Sequence, residues 1–147
     1  MAEERLQHGT LSDELGFLLA RANSVSLAAG NEALAPHGLR GRSYSVLAVV
    51  ADGARPTQRE LADFLRLDPS QIVAIVDDLE GRRLVQRRQD AADRRARIIV
   101  ATAEGERVFA AARESALAAE RTAHPGFADE DRASAIALLR TLAFPEP

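Results

Sequence analysis

Apolar residues recur at helical spacing along most of the chain. Leu15, Leu18, Leu19, Ala22 and Val25 stand three or four apart behind Ser12, Asp13 and Glu14, which read as a helix start with acids at the positive end of the helix dipole. This first helix is expected to run to about Ala35, where Pro36-His37-Gly38 stops it. Ser43 to Asp52 forms a short, strongly apolar second helix ending at Gly53, and Gly53-Ala54-Arg55-Pro56 is a loop. Thr57-Gln58-Arg59-Glu60 fits a capping box: Thr57 accepts from the amide three residues on and Glu60 reaches back. Leu61, Ala62, Phe64 and Leu65 give the helix behind it an apolar face. The next start follows almost at once, with Asp68 as N-cap, Pro69 at the first helical position, and Ile72, Ile75, Val76 and Leu79 at i, i+3, i+4 and i+7. Only a tight turn around Arg66-Leu67 separates these two helices.

The period changes after Leu84-Val85. Gln86 to Gln89 and Arg97 to Val100 flank a polar tip, Asp90 to Arg95, and the β-branched residues of the return arm predict a hairpin. Thr102 then caps a long alanine-rich helix to about Ala123, carrying Val108, Phe109, Ala112 and Ala116. Pro125-Gly126 breaks it, and Asp129 opens a last amphipathic helix with Ile136, Leu139 and Leu142. The expected fold is therefore mainly α with a small β-hairpin wing, a winged helix-turn-helix with six helices. No repeat or low-complexity linker interrupts it, and 147 residues suit one domain.

Charge changes the picture more than composition does. The 46% hydrophobic and 28% charged content is that of ordinary globular chains. All 19 basic residues are arginine, and the net charge is −3. Arg82 to Arg97, however, holds seven arginines against Asp90 and Asp93, so a stripe of +5 sits on a body of −8. Such a stripe lets a protein of negative net charge hold a polyanion. Cysteine is absent, which excludes disulfides and thiol chemistry. The histidines His8, His37 and His124 lack metal-ligand spacing, and no cofactor motif, nucleophile motif or Gly-rich phosphate loop is present. An enzyme is not expected, nor a metal or cofactor. The longest apolar run, Val46 to Ala51, falls far short of the roughly 20 residues needed to span a bilayer, so no membrane partner is expected. The mixed start, Met1-Ala2-Glu3-Glu4-Arg5, is unlike a secretory signal and predicts a cytoplasmic protein.

A capped helix, a short turn, a second capped helix and a basic hairpin form the arrangement that lays its second helix in the major groove of double-stranded DNA. Because Ile72, Val76 and Leu79 must point inward, Ser70, Gln71 and Ala74 are left to face bases, with Asp77 and Asp78 farther along. A serine can bond base edges or phosphate, a glutamine can pair with adenine at two points, and an alanine can touch a thymine methyl. At the hairpin tip, Arg94 or Arg95 suits a narrow minor groove, and Asp93 is expected to orient a neighbouring arginine through a charge-assisted bond. Arg87, Arg88 and Arg97 on the hairpin arms, and Arg42 and Ser43 at the start of the second helix, are candidate phosphate contacts.

The run from Ser70 to Glu80, then Leu84-Val85, Asp90 to Ala96 with its Asp93-Arg94-Arg95, and Thr102-Ala103-Glu104-Gly105 resembles the MarR family of bacterial winged-helix regulators. The resemblance in order of elements covers nearly the whole chain. It implies an intertwined homodimer that binds a pseudo-palindromic operator, acts as a repressor and is released by a small-molecule effector. By position, Arg95 matches the family's minor-groove arginine and Asp93 its hairpin partner. The family commonly has glycine before the Leu-Val that opens the hairpin, where this chain has Arg83; the left-handed turn is expected to move to Gly81 or to be reshaped. The absence of cysteine excludes the thiol-sensing peroxide branch, and the absence of tryptophan argues against the urate-responsive branch.

One domain over 1–147 is thus expected, with a DNA-binding lobe at 39–101 and dimerisation helices at 10–36 and 102–145. Apolar stripes at both ends of so small a chain exceed what one helix-turn-helix core can cover, which independently favours a homodimer. A small aromatic or anionic effector is expected where the first, second and fifth helices meet, near Arg21, His37 and Tyr44. The alternative is a winged-helix module for protein contacts without DNA specificity.

Overall fold

The computed structural model describes Glu4 and residues 6–145; Met1 to Glu3, Arg5, Glu146 and Pro147, and so the ends of the expected domain and most of its mixed N-terminal stretch, lie outside the described residues. The described residues form α1 (Leu15–Leu34), α2 (Gly41–Ala51), α3 (Gln58–Leu65), α4 (Pro69–Gly81), β1 (Val85–Gln89), β2 (Arg97–Ala101), α5 (Ala103–Ala123) and α6 (Asp129–Ala143). Short 3₁₀ turns occupy Thr10–Asp13 and Ala35–His37.

The core is the helix-turn-helix lobe. Val46, Leu47 and Val50 of α2, Leu61 of α3, Ile72, Val76 and Leu79 of α4, and Ile99 of β2 are buried together. Truncating any of the buried leucines to alanine would cost about 2–5 kcal/mol. β1 and β2 pair antiparallel with Val85 opposite Ala101 and Arg87 opposite Ile99. The loop before α3 adds a third edge: Ile99 N–H donates to the Pro56 carbonyl at 2.8 Å and Thr57 bridges to Ile98. The wing is thereby tied to α3 by backbone as well as side chains.

α1 and α5 pack antiparallel. His37 at the end of α1 meets Ser115, while Ser26 a few turns earlier meets His124, each at 2.9 Å. Outside this seam the long helices are open. Leu34 alone is buried in α1, and α6 buries none of its residues. Leu15, Leu18, Leu19, Leu138, Leu139 and Leu142 are all exposed.

Three expectations about element ends are corrected. Ser12 does not cap the first helix, because its hydroxyl donates to the Leu6 carbonyl at 3.3 Å inside the 3₁₀ turn, and Glu14 takes the N-cap position. The second helix begins at Gly41, two residues early, since the Ser43 hydroxyl accepts from the Arg40 amide and donates to the Arg40 carbonyl, fixing the backbone of the N-cap. The left-handed turn before the hairpin does not move to Gly81. Arg83 itself adopts φ +61, with Leu84 N–H donating to the Leu79 carbonyl and Arg83 N–H to that of Glu80. That pair of bonds is a Schellman cap, and it offsets the roughly 1–2 kcal/mol cost of a left-handed non-glycine residue.

Candidate nucleic-acid interface

α4 begins as local chemistry dictates. Pro69 occupies the first turn, and the Asp68 carboxylate accepts from the Ser70 amide at 2.8 Å and from the Ser70 hydroxyl. The Ser70 hydroxyl and then its amide hold the Asp68 carboxyl below the usual carboxylate range. With its hydrogen given to Asp68, the Ser70 oxygen is left as an acceptor, suited to the amino groups of adenine or cytosine and not to phosphate. Ala74 is exposed, and Gln71 is half-buried with no bond from its side-chain carboxamide to the protein among the described residues. Val73 was missed. It is a large apolar residue left open on this face, its place off the 72, 75, 76, 79 stripe was the signal, and it can touch a thymine methyl.

The wing tip is built by aspartates. Asp90 accepts from the Ala92 amide at 3.0 Å, and Asp93 accepts from the Arg95 amide at 2.9 Å while its carbonyl takes the Ala96 amide. These Asx turns fix the backbone that carries the arginines. Asp93 thus orients Arg95 through its main chain, whereas a bond to a guanidinium was expected. The Arg94 and Arg95 side chains are exposed and carry no protein partner among the described residues.

The expected phosphate contacts divide. Arg42 and Arg97 are exposed, and Arg88 is exposed with its guanidinium near 3.1 Å from the Gln86 side chain. Ser43 is occupied as a cap, accepting from the Arg40 amide at 2.9 Å and donating to the Arg40 carbonyl at 3.0 Å. Arg87 is not on the open face at all. Its Nε donates to Gln58 at 2.8 Å, its Nη1 to Glu80 and its Nη2 to Asp77, and its amide donates to Glu80 at 2.8 Å. The sequence places this arginine on a hairpin arm like its neighbours; only the meeting of α3, α4 and β1 turns it inward.

This knot alters the electrostatics of the face. Arg87 pairs with both Asp77 and Glu80, and Arg82 lies 3.5 Å from Asp78, so two arginines offset all but one of the three acidic charges of α4 and leave the exposed Arg88, Arg94, Arg95 and Arg97 as the basic face of the wing. The Arg87 amide, ahead of its guanidinium, holds the Glu80 carboxyl below its usual range. A depressed carboxylate stabilises the fold above its ordinary titration range, and that contribution fades as pH falls through the lowered value. Arg87→Leu is expected to destabilise the lobe by about 1–3 kcal/mol, since it removes charge-assisted bonds that are only partly screened. Urea unfolding measures this. Unchanged stability, together with a shallower salt dependence of DNA binding, would make Arg87 a phosphate contact after all.

The residues expected around an effector do not gather. His37 bonds Ser115, and the Tyr44 ring packs 5.8 Å from Phe109, where burial pushes its hydroxyl above its usual range. Arg21 lies on α1 about 20 Å from the end of that helix. A cavity of about 1000 Å³ opens elsewhere, between α1, the end of α5 and α6, lined by Leu15, Leu18, Phe127, Ile136, Leu139 and Arg132 among others. Arg21, His37 and Tyr44 do not line it.

An open helix N-terminus suited to a major groove and a wing whose tip arginines have no protein partner among the described residues, on one lobe, define a winged helix-turn-helix DNA-binding protein. The MarR family model matches residues 37–96, the stretch from the α1–α2 turn to the wing tip. The fold is similar to that of a MarR-family transcriptional regulator from Rhodococcus sp. RHA1, at 43% identity over 93% of this chain and 97% of that one, with a TM-score of 0.87. It is similar also to CouR from Rhodococcus jostii RHA1 bound to p-coumaroyl-CoA, at 44% identity over 94% and 97% of the two chains and a TM-score of 0.84. The transcriptional repressor CouR bound to a 23-mer DNA duplex is 29% identical over 92% of this chain and 96% of its own, with a TM-score of 0.80. The chain belongs to the MarR family of DNA-binding transcriptional regulators.

Proposed function

We propose that this chain is a repressor that binds a pseudo-palindromic operator as a homodimer and lets go when an effector binds. α4 enters the major groove, where Ser70, Gln71, Val73 and Ala74 meet base edges. Arg94 and Arg95 enter the flanking minor groove, Asp93 holding the backbone between them and the strand. Arg42, Arg88 and Arg97 lie against phosphates. Residues 39–101 act as the reading lobe, and 10–36 with 102–145 as the pairing helices. The observation that carries this reading is the unpartnered state of Arg94 and Arg95 on a backbone fixed by Asp93. The protein acts by binding in the cytoplasm and catalyses no reaction. Among the described residues no helix is long and apolar enough to cross a membrane.

Selection of binding sites from random duplex, followed by titration at several salt concentrations, tests the reading. The recovered motif should be two-fold symmetric with half-sites one turn apart, about 34 Å, and affinity should fall by orders of magnitude between low and moderate salt. Arg95→Ala should weaken binding most where A·T tracts flank the site. Gln71→Ala should relax preference at one position of each half-site by about 1–3 kcal/mol. Equal weakening on every duplex by Gln71→Ala would show that it reads no base.

CouR binding p-coumaroyl-CoA favours an effector that joins an aromatic ring to anionic groups, an aromatic acyl-CoA thioester. Such a ligand must prefer the non-binding geometry of the dimer to displace DNA. Titrating p-coumaroyl-CoA into the operator complex should release the duplex. Retention of the complex at millimolar ligand would remove this class.

A further inference from the structure

Arg82, the C-cap of α4, reaches to the turn between α1 and α2. Its Nη1 donates to the Gly38 carbonyl at 2.7 Å and its Nη2 to the His37 carbonyl at 3.0 Å, while Asp78 steadies it from 3.5 Å. These carbonyls close the 3₁₀ turn between α1 and α2, an end where backbone acceptors lack intrahelical donors. Gly38 is left-handed at φ +66, and a Cβ there would meet the Arg82 guanidinium at 2.8 Å. Glycine at this position therefore both makes the turn and admits the arginine. The same turn is held to α5 by His37, whose Nε2 lies 2.9 Å from the Ser115 hydroxyl. One line of polar contacts thus runs from the end of α4, through the α1–α2 turn, to α5.

Leverage gives this line its meaning. Thirteen residues make α4 about 20 Å long, and it reads DNA at the opposite end from Arg82. A tilt of about 5° at the Arg82 end moves the reading end by about 1.7 Å, about half the rise of one base pair, so such a tilt in both lobes of a dimer changes their separation by about one base pair. The apolar contacts of Ile72, Val76 and Leu79 hold α4 inside the lobe but are not directional. Two carbonyl bonds from one planar guanidinium are directional.

We infer that Arg82 is a positioning residue: it fastens α4 to the turn between α1 and α2 and, through His37, to α5, and so sets the separation at which the two lobes of a dimer present their reading helices. This rests on the paired, operator-binding reading above. Removing the fastening should loosen the tolerance for half-site spacing without touching base preference within a half-site.

The test compares wild type with Arg82→Ala and Arg82→Lys on the selected operator and on versions with one base pair added or removed at its centre. Wild type should lose about tenfold or more per altered spacer, since a base pair shifts one half-site by about 3.4 Å and rotates it. Arg82→Ala should lose about threefold or less, and Arg82→Lys, unable to span two carbonyls, should fall between. The salt slope should be that of wild type, because the Arg82 guanidinium is engaged by the Gly38 and His37 carbonyls. Equal spacer losses in wild type and Arg82→Ala would overturn the inference and leave operator binding intact. A salt slope reduced by about one would overturn it by making Arg82 a phosphate contact. Wild type indifferent to spacing would sink the paired reading itself, and with it any role for Arg82 in spacing. Should Arg82→Ala fold poorly by thermal melting, Arg82→Lys decides by the same spacer comparison.

Discussion

Gly105→Ala is expected to be among the most damaging single substitutions in the chain, at about 3–5 kcal/mol of stability. In a helix this exchange ordinarily helps by about 1 kcal/mol, because alanine is the better helix former. Here the sign is reversed by contact. A Cβ on Gly105 would lie 1.9 Å from the Leu84 carbonyl oxygen and 2.9 Å from its carbon, both backbone atoms. Neither side can retreat cheaply. The Leu84 carbonyl already accepts from the Thr102 amide at 3.0 Å, and Thr102 caps α5 by accepting from the Gly105 amide at 3.0 Å while donating to the Arg83 carbonyl at 2.7 Å. Moving α5 outward breaks this cap, and moving Leu84 unseats a residue buried in the core. Gly81→Ala in α4, whose Cβ would meet nothing within 4 Å, is the control and should be neutral or stabilising. Urea unfolding of both variants checks the claim; a Gly105→Ala protein within 1 kcal/mol of wild type would refute the close crossing of hairpin and helix.

The same crossing shows what local sequence can and cannot reveal. Thr102 and Gly105 were visible as a helix start because a cap is decided by four consecutive residues, and Asp68-Pro69 and Thr57 to Glu60 were legible for the same reason. Each of these caps forms as expected. Ser12 fails although it has the same chemistry, because a carbonyl six residues earlier competes for its hydroxyl. Arg87 looked like Arg88 along the hairpin, yet one is drawn inward by Gln58, Asp77 and Glu80, residues up to 29 positions away. Nothing in its neighbourhood along the chain announces that. Arg83 in a left-handed turn is the converse: the turn is fixed by the Schellman bonds from Leu84 and Arg83, and the side chain tolerates a conformation its neighbours impose. The elements were thus readable from periodicity and caps, whereas the division of the arginines into fasteners and free cations needed the assembled lobe.

Leu139→Glu should leave the reading lobe folded and weaken operator binding by about 10²- to 10⁴-fold, the advantage that linking two binding modules confers. Leu139 is 46% exposed and Leu138 69% exposed on α6, which buries none of its own residues. A glutamate placed there costs an isolated chain little, since exposed positions tolerate charge. Any large effect must therefore come from a surface that covers α6 in the working protein. The proposed cover is a second copy, because Leu15, Leu18 and Leu19 of α1 face the same cavity as Leu139 and present apolar area with no occupant among the described residues. Sedimentation should show wild type as a dimer and Leu139→Glu as a monomer with an unchanged circular-dichroism spectrum. The quantitative check is internal. If pairing alone is lost, the variant should bind the full operator no more tightly than it binds a single half-site, and the steep salt dependence should fall by about half, as half the phosphate contacts remain. A variant that stays dimeric and keeps full affinity would place the pairing surface elsewhere and leave α6 without the role proposed for it.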